Sequence, residues 1–321
     1  MANYLAVDSG GTKVLAILYD EDFRPKVISR VGSFRLNTTS SELVARNMEQ
    51  IKQELGLSPG AMIDMLTGIV YPEFIEFLQK NYTIKAFDPC GETSAGLCAA
   101  GIFGDGLLAL SGTGSNTGAH YNGNSFFAGG YGAAVCDIGS GYWIAREAMC
   151  AAIADFEGYG EETLLSDLIA EHFGKTKPEM VAAIFSNYAR PEIPPVTQVA
   201  ACAPLVSKAA SAGDRIAQDI LIRAGQFLGW QSTALIRRQN IPDQVPITIS
   251  GSVWHSHRLF FDTFADCIRT QSPDRPILIP EFEPIIGLLI RHYYKQYGKF
   301  DEQDRSFFRE TYPQYLSGLH L

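Results

Sequence analysis

The sequence lacks several features that would assign a protein to a class at once. No window approaches eighteen uninterrupted apolar residues, so we expect no membrane span. The N-terminus, MANYLAVDSGGTK, has no basic segment before an apolar stretch, so we expect no signal peptide and a cytoplasmic location. No two of the six cysteines have CxxC spacing, and we interpret them as free thiols rather than as a disulfide framework.

Positive charge is also scarce. Lysine and arginine number 26 against 35 aspartates and glutamates, which gives a net charge of -9. A surface of that sign repels a phosphate backbone, so we do not expect nucleic acid as a partner. Hydrophobic residues make up 46% and charged residues 19%, as in an ordinary globular protein. The 321 residues are long for a single core, which predicts two domains.

Two common nucleotide-binding motifs are absent. The chain has no GxxxxGK[ST] segment, and its GTGSNTG segment neither matches GxGxxG nor precedes a predicted helix. Instead, a pattern of strand, glycine-rich turn, strand and strand occurs twice, starting near Tyr4 and again near Gly106. We therefore predict two related α/β domains, 1–118 and 119–300, with a nucleotide in the cleft between them. The tail, 301–321, could return to the first domain.

Three glycine-containing turns follow predicted apolar strands. The first is DSGGTK, in which glycines leave backbone N–H groups open to phosphate oxygens and Asp8 could hold hydrated Mg²⁺. The second is SGTGSN from Ser111, and the third is ISGSVW from Ile249. Each alone could be an ordinary turn or loop. Together, at matching places in repeated domains, they indicate a bound nucleotide.

These segments resemble motifs of a known family. DSGGTK and LSGTGSN resemble the two phosphate motifs of the actin-like sugar kinases, and ISGSVWHSHRLF resembles their adenosine motif. GGYGAAVCDIGSGYWIAREA resembles the N-acetylglucosamine kinase signature, and FEPIIGLLI resembles the C-terminal Pro-x-x-Gly helix. The chain is thus similar to N-acetylglucosamine kinases and BadF/BadG/BcrA/BcrD ATPases of the actin / sugar kinase / Hsp70 superfamily. This resemblance implies two ribonuclease H-like domains, ATP with Mg²⁺, and an amino-sugar acceptor.

The resemblance also implies roles for individual residues. Mg²⁺ would lie near Asp8. ATP would contact two sets of residues, which are Gly10, Gly11, Thr12, Lys13, Gly112, Thr113 and Gly114 at the phosphates, and Gly251 and Ser252 at the adenosine. The acceptor sugar would contact Asn37, Asn116, Gly130, Tyr131 and Asp137. Asn37 could equally be a turn residue, and Asp137 could cap, or also cap, the helix that begins near Gly141.

The residue expected to accept the hydroxyl proton differs from the family pattern. The family places an aspartate where this chain has Glu92, whose side chain is one methylene longer. Glu92 also fits the N-terminus of a helix, where the dipole favours an acid. Asp88 is the reserve candidate, although an Asp-Pro turn explains it too. We take Glu92 as the catalytic base.

Two further departures concern the acceptor side. Tyr131 stands where the family has tryptophan, and the segment 68–73 (GIVYPE) replaces a Gly/Ser-rich sugar turn. Two other functions therefore stay open. One is an ATPase that drives a partner, as do the activators of 2-hydroxyacyl-CoA dehydratases, and the other is a catalytically weak sugar or nucleotide sensor. A homodimer is compatible with each of these functions.

Overall fold

A computed structural model describes residues 2–36, 39–133, 135–189, 195–319 and 321. The chain divides into two compact units, of which the first comprises 1–104 with 279–320 and the second comprises 105–278 with Leu321. Within the described ranges, no helix is both long and apolar enough to cross a bilayer.

In the described residues, groups of strands are followed by helices, and six helices follow one another in the middle of the chain. The elements up to residue 104 are β1 (Tyr4–Ser9), β2 (Lys13–Tyr19), β3 (Pro25–Gly32), α1 (Ser41–Leu55), β4 (Met62–Ile63), β5 (Met65–Ile69), α2 (Pro72–Asn81), β6 (Thr83–Ile84), β7 (Phe87–Pro89) and α3 (Glu92–Ala99). Those from 105 to 278 are β8 (Gly106–Ser111), β9 (Ser115–Tyr121), β10 (Asn124–Gly129), α4 (Gly141–Glu157), α5 (Leu165–His172), α6 (Lys177–Ala189), α7 (Pro195–Ala200), α8 (Ala203–Ser211), α9 (Arg215–Arg238), β11 (Ile247–Ser250), a 3₁₀ turn (Ser252–His255), α10 (Arg258–Gln271) and β12 (Ile277–Leu278). The last are α11 (Pro284–Tyr297), α12 (Glu302–Thr311) and a 3₁₀ turn (Pro313–Tyr315).

The first unit contains a five-stranded sheet in the order β3-β2-β1-β5-β7. β1 pairs antiparallel with β2, β2 pairs antiparallel with β3, and β5 lies parallel to both β1 and β7. Since β1, β3, β5 and β7 run in one direction, their carboxyl ends share one edge, which we call the first C-terminal edge. Ligands of open α/β sheets bind at such edges.

Both faces of this sheet are covered by apolar side chains. Alternation along β1 sends Leu5 and Val7 to the core formed with α1 and α2, while Ala6 belongs to the opposite core. That opposite core is completed by the C-terminal segment, which contributes Leu288 of α11 and Phe308 of α12. The first unit is therefore built from both ends of the chain.

The second unit repeats this arrangement. Its sheet has the order β10-β9-β8-β11-β12, in which β8, β9 and β10 are antiparallel and β11 and β12 continue in parallel. The two related α/β sheets confirm the predicted fold class. The predicted hairpin turn between β9 and β10 also occurs, and Asn122 and Gly123 both have positive φ there (50° and 73°).

The division into units differs from the boundaries predicted at 118 and 300. Residues 105–118 belong to the second unit because β8 pairs with β9 and β11. Residues 279–300 belong to the first unit because α11 packs on α3. A Cβ on Gly287 would overlap the carbonyl oxygen of Ala95, so this contact between the two helices depends on glycine.

Candidate active site

The first glycine turn joins β1 to β2 at the first C-terminal edge. The N–H of Gly10 donates to the carbonyl oxygen of Lys13 at 2.9 Å and closes the turn. Thr12 is exposed, whereas Gly11 and Lys13 are half-buried. On the far side of the turn, Ser33 Oγ donates to the carbonyl oxygen of Gly10 at 3.3 Å. The turn is thus fixed from both sides while its tip stays open to solvent.

Asp8, the residue that the sequence assigns to Mg²⁺, lies in an acidic environment. Burial raises the pKa of its carboxyl from 3.8 to about 6, and the negative charges of Glu92 and Glu283 add to this effect. The positive charge of Lys13 opposes this effect, and Lys13 Nζ lies 3.8 Å from Glu283 Oε2. The fold therefore brings Asp8, Lys13 and Glu92 together. An excess of carboxylates at one place suits a bound cation.

Glu283 was missed by the sequence analysis. It is the residue before Pro284 at the start of α11, and it belongs to the FEPIIGLLI segment that already resembles a family motif. Its position follows from helix packing, because α11 lies against α3 and Glu92 is the first residue of α3. An acid directly before the Pro-x-x-Gly helix was the available signal.

Asp88, the reserve candidate for the base, has a different role. Arg291 Nη1 donates to its Oδ2, and Lys295 Nζ lies 2.9 and 3.0 Å from its two carboxylate oxygens. Burial alone would raise the pKa of Asp88, but the hydrogen bonds and charges of these two cations outweigh it and lower the pKa. Asp88 therefore fastens β7 to α11.

The second glycine turn, in the second unit, is held by the segment that precedes α4. Gly112 N–H donates to the Gly114 carbonyl oxygen at 2.9 Å, and Gly141 N–H donates to the Gly112 carbonyl oxygen at 2.8 Å. The hydroxyl of Ser111 donates to Gly139 O (2.7 Å), and that of Ser115 donates to Ile138 O (2.9 Å). Thr113, at the tip, is half-buried.

Three of the predicted acceptor residues adjoin this turn. Asp137 Oδ1 accepts a hydrogen bond from Gly132 N–H at 3.0 Å, and Oδ2 lies 2.7 Å from the place that a Cβ on Gly114 would take. A Cβ on Gly130 would lie 3.2 Å from Cβ of Asn116. Asn116, Gly130 and Asp137 thus border one small region of the second unit.

The remaining acceptor candidates have different outcomes. Tyr131 follows Gly130 and is 75% exposed, so its ring is open to a ligand in this unit. Asn37 lies outside the described residues. The capping role considered for Asp137 is wrong, because α4 is capped by Ser140, whose Oγ accepts from Trp143 N–H at 3.1 Å.

The third glycine turn touches the second one. β11 pairs with β8, so Gly251 arrives beside Ser111, and a Cβ on Gly251 would overlap the carbonyl oxygen of Ser111. Its φ of 107° also favours glycine. Ser252 begins the following 3₁₀ turn and is exposed. In the part of the chain that is described, no three His, Cys, Asp or Glu side chains converge as a ready-made set of metal ligands.

Known proteins are similar to this chain in sequence and in fold. The sequence model of the BadF/BadG/BcrA/BcrD ATPase family matches residues 5–290. The chain belongs to this ATPase family. A curated relative, the N-acetylmuramic acid/N-acetylglucosamine kinase of Clostridium acetobutylicum, is 25% identical over 307 residues, which cover 90% of this chain and 98% of the relative.

Solved structures agree on the fold. A proposed N-acetylglucosamine kinase from Chromobacterium violaceum superposes with a TM-score of 0.67 at 22% identity, covering 91% of this chain and 99% of that one. A ROK family glucokinase from Streptomyces griseus, solved with glucose and AMPPNP, gives a TM-score of 0.53 at 16% identity, covering 92% and 100%. At these identities the similarity shows the actin-like ATPase fold alone.

Proposed function

We propose that this family member is an ATP-dependent kinase that phosphorylates a hydroxyl of an amino sugar such as N-acetylglucosamine. The observation that carries the proposal is the proximity of Asp8 and Glu92 beside the first glycine turn. In this proposal, Asp8 would hold a metal ion and Glu92 would accept a hydroxyl proton. The name of the curated relative supports an amino-sugar acceptor.

The residues around Asp8 fit Mg²⁺. Their negative charge exceeds the positive charge of Lys13, and a cation bound there would offset the burial and the carboxylate charges that raise the pKa of Asp8. Because Mg²⁺ keeps several waters and phosphate oxygens as ligands, one protein carboxylate is enough. When bound, the ion would neutralise part of the charge on the transferred phosphoryl group.

The remaining groups position the two substrates. In the first unit, Gly11 and Thr12 would donate backbone N–H groups to phosphate oxygens, Gly10 would lie beside the phosphates, and Lys13 would add a positive charge. In the second unit, Thr113 and Gly114 would donate backbone N–H groups in the same way, Gly112 would lie beside the phosphates, and Gly251 and Ser252 would lie against the adenosine. The acceptor would bind through Asn37, Asn116, Gly130, Tyr131 and Asp137.

Glu92 is proposed as the base of the transfer. Its carboxylate accepts the proton of the acceptor hydroxyl while that oxygen bonds to the γ-phosphorus and the bond to ADP breaks. Glu92 is the first residue of α3, so the helix that packs on α11 fixes its backbone. A cytoplasmic location and a homodimer stay predictions.

The test is sugar-dependent release of ADP from Mg-ATP. Wild type, Glu92→Gln and Glu92→Asp are compared on N-acetylglucosamine, glucosamine, N-acetylmannosamine, glucose and N-acetylmuramic acid. We expect turnover of an amino sugar that falls on the order of a hundredfold or more in Glu92→Gln. Glu310→Gln, an exposed carboxylate on α12, is the matched control. Hydrolysis of ATP without any dependence on sugar would replace the kinase by an ATPase that acts on a partner, and no turnover at all would favour a sensor.

A further inference from the structure

Glu283 lies at the start of α11, but its carboxylate does not cap that helix. Its backbone carbonyl accepts from the N–H groups of Ile286 and Gly287, whereas its side chain makes no capping hydrogen bond. The helix dipole favours an acid at this position. It does not account for the partner of that acid on β2, since Oε2 lies 3.8 Å from Lys13 Nζ. The carboxylate of Glu283 therefore acts on the first glycine turn.

The C-terminal residues of the chain hold the backbone of Glu283. Its N–H donates to the carbonyl oxygen of Tyr315 at 2.8 Å. The preceding residue, Phe282, forms an antiparallel bridge with Leu316, and its side chain is buried in the core of the first unit. Glu283 is thus fixed on both sides, by this bridge and by α11. Its carboxylate stays near Lys13 whether or not a ligand is bound to the turn.

The negative charge of Glu283 reduces the positive charge that Lys13 offers to a phosphate. The side chains of Lys13 and Glu283 are 41% and 37% exposed, so water screens the pair and its effect is modest. The same negative charge also acts on Asp8, where it adds to the burial that raises the pKa of that carboxyl. A phosphate at this turn therefore meets negative charge as well as the ammonium of Lys13.

Nucleotides with and without Mg²⁺ differ mainly in charge. ADP carries about three negative charges at neutral pH and its Mg²⁺ complex about one, so a fixed carboxylate nearby disfavours the metal-free form more strongly. Glu283 is close enough to Lys13 and Asp8 to have this effect on a nucleotide at the first glycine turn.

We propose that Glu283, which pairs with Lys13, makes the first glycine turn select the Mg²⁺ complex of the nucleotide over the metal-free nucleotide. This inference rests on the proposed kinase function and adds a residue that controls the form in which the nucleotide binds. Glu283 contacts neither substrate and acts through its charge and through Lys13, so it is a positioning residue. Its effect keeps metal-free ATP, which lacks the charge neutralisation that transfer needs, from occupying the site.

The experiment measures the dissociation constant of ADP by calorimetry at pH 7.5, once with excess Mg²⁺ and once with EDTA. The quantity compared is the ratio of the EDTA value to the Mg²⁺ value. Glu283→Gln should bind metal-free ADP roughly two- to fivefold more tightly and Mg-ADP less than about twofold more tightly, so that the ratio falls. Glu310→Gln, which removes an exposed carboxylate of α12 in the same unit, is the matched control and should keep the wild-type ratio.

Two more variants separate the charge of Glu283 from its role in packing. Glu283→Asp keeps the charge, and its ratio should lie closer to that of wild type than to that of Glu283→Gln. Glu283→Ala should lower the ratio, which keeps the test decisive if Glu283→Gln does not fold. A wild-type ratio in both Glu283→Gln and Glu283→Ala, or an equal fall in Glu283→Asp, would overturn the inference while leaving the kinase function in place. Failure of wild type to bind ADP under either condition would instead contradict the proposed function.

Discussion

The ionised form of Asp8 is unfavourable in the folded protein without ligands. Its pKa is about 6 instead of the ordinary 3.8, and each pKa unit corresponds to about 1.4 kcal/mol. Ionised Asp8 therefore costs the folded state up to about 3 kcal/mol above pH 6. We predict that Asp8→Asn raises the free energy of unfolding at pH 7.5 by about 1–3 kcal/mol.

The direction in which stability changes with pH follows from proton binding. Between pH 6 and about 4, the folded wild type holds a proton on Asp8 that the unfolded chain releases, so this group adds stability as the pH falls through that range. The advantage of Asp8→Asn should be largest above pH 6 and should shrink toward pH 4. At 2–4 °C per kcal/mol for a domain of this size, the melting temperature should rise by roughly 2 to 12 °C at pH 7.5.

Thermal melts of the protein without ligands at pH 7.5, 6 and 5 test this prediction. Asp22→Asn, which removes an exposed carboxylate of the same unit, is the control and should shift the melting temperature little. Sugar-dependent ADP release should meanwhile be nearly lost in Asp8→Asn, because an amide would not hold the Mg²⁺ that we propose Asp8 binds. An Asp8→Asn protein that is no more stable than wild type at pH 7.5 would refute the reasoning.

Three further predictions concern the first unit. Burial lowers the pKa of His292 from 6.5 to about 4, so between these pH values the unfolded chain binds a proton that the folded chain does not. Stability should therefore fall as the pH drops from 6.5 to about 4. Urea midpoints of His292→Gln should depend less on pH than those of wild type. Gly287→Ala should destabilise by about 1–3 kcal/mol or more, since its Cβ would overlap the Ala95 carbonyl oxygen; Gly104→Ala, which meets no atom within 4 Å, should change the urea midpoint little. Asp88→Asn should cost about 2 kcal/mol in the same assay but keep kcat, because its two cationic partners lie on α11; a loss of kcat with unchanged stability would reinstate Asp88 as the base.

The repeated topology was predictable because its signals are local. Each sheet begins with a hairpin whose strands and glycine turn are adjacent in sequence, and these patterns give the order β3-β2-β1 and β10-β9-β8. The proximity of Asp8 and Glu92 was expected only through the resemblance, because Asp8 lies on β1 and Glu92 begins α3, and long connections separate them along the chain. No short-range pattern joins residues that lie more than eighty positions apart.

Other parts of the site depend on packing that the sequence does not display. α11 could not be assigned to the first unit from its own residues, because its contact with α3 depends on one glycine against a distant carbonyl. Glu283 precedes α11, so its position near Asp8 could not be predicted from the sequence for the same reason. The contact of Arg35 with Tyr71 joins two loops at one edge of the sheet, and neither residue type alone predicts this contact. For Asp137, the capping alternative was wrong because Ser140 stands closer to the helix and caps it.

The first unit's dependence on both chain ends has a consequence for biosynthesis. When residues 1–104 have left the ribosome, the apolar face of β1 and α3 that α11 will cover is still without Leu288, Phe308 and their neighbours. Residues 105–278 form a continuous unit, which can fold while that face is still uncovered. We therefore expect a nascent chain halted before residue 279 to expose that face to chaperones and proteases, even though it already carries every residue assigned here to the two substrates.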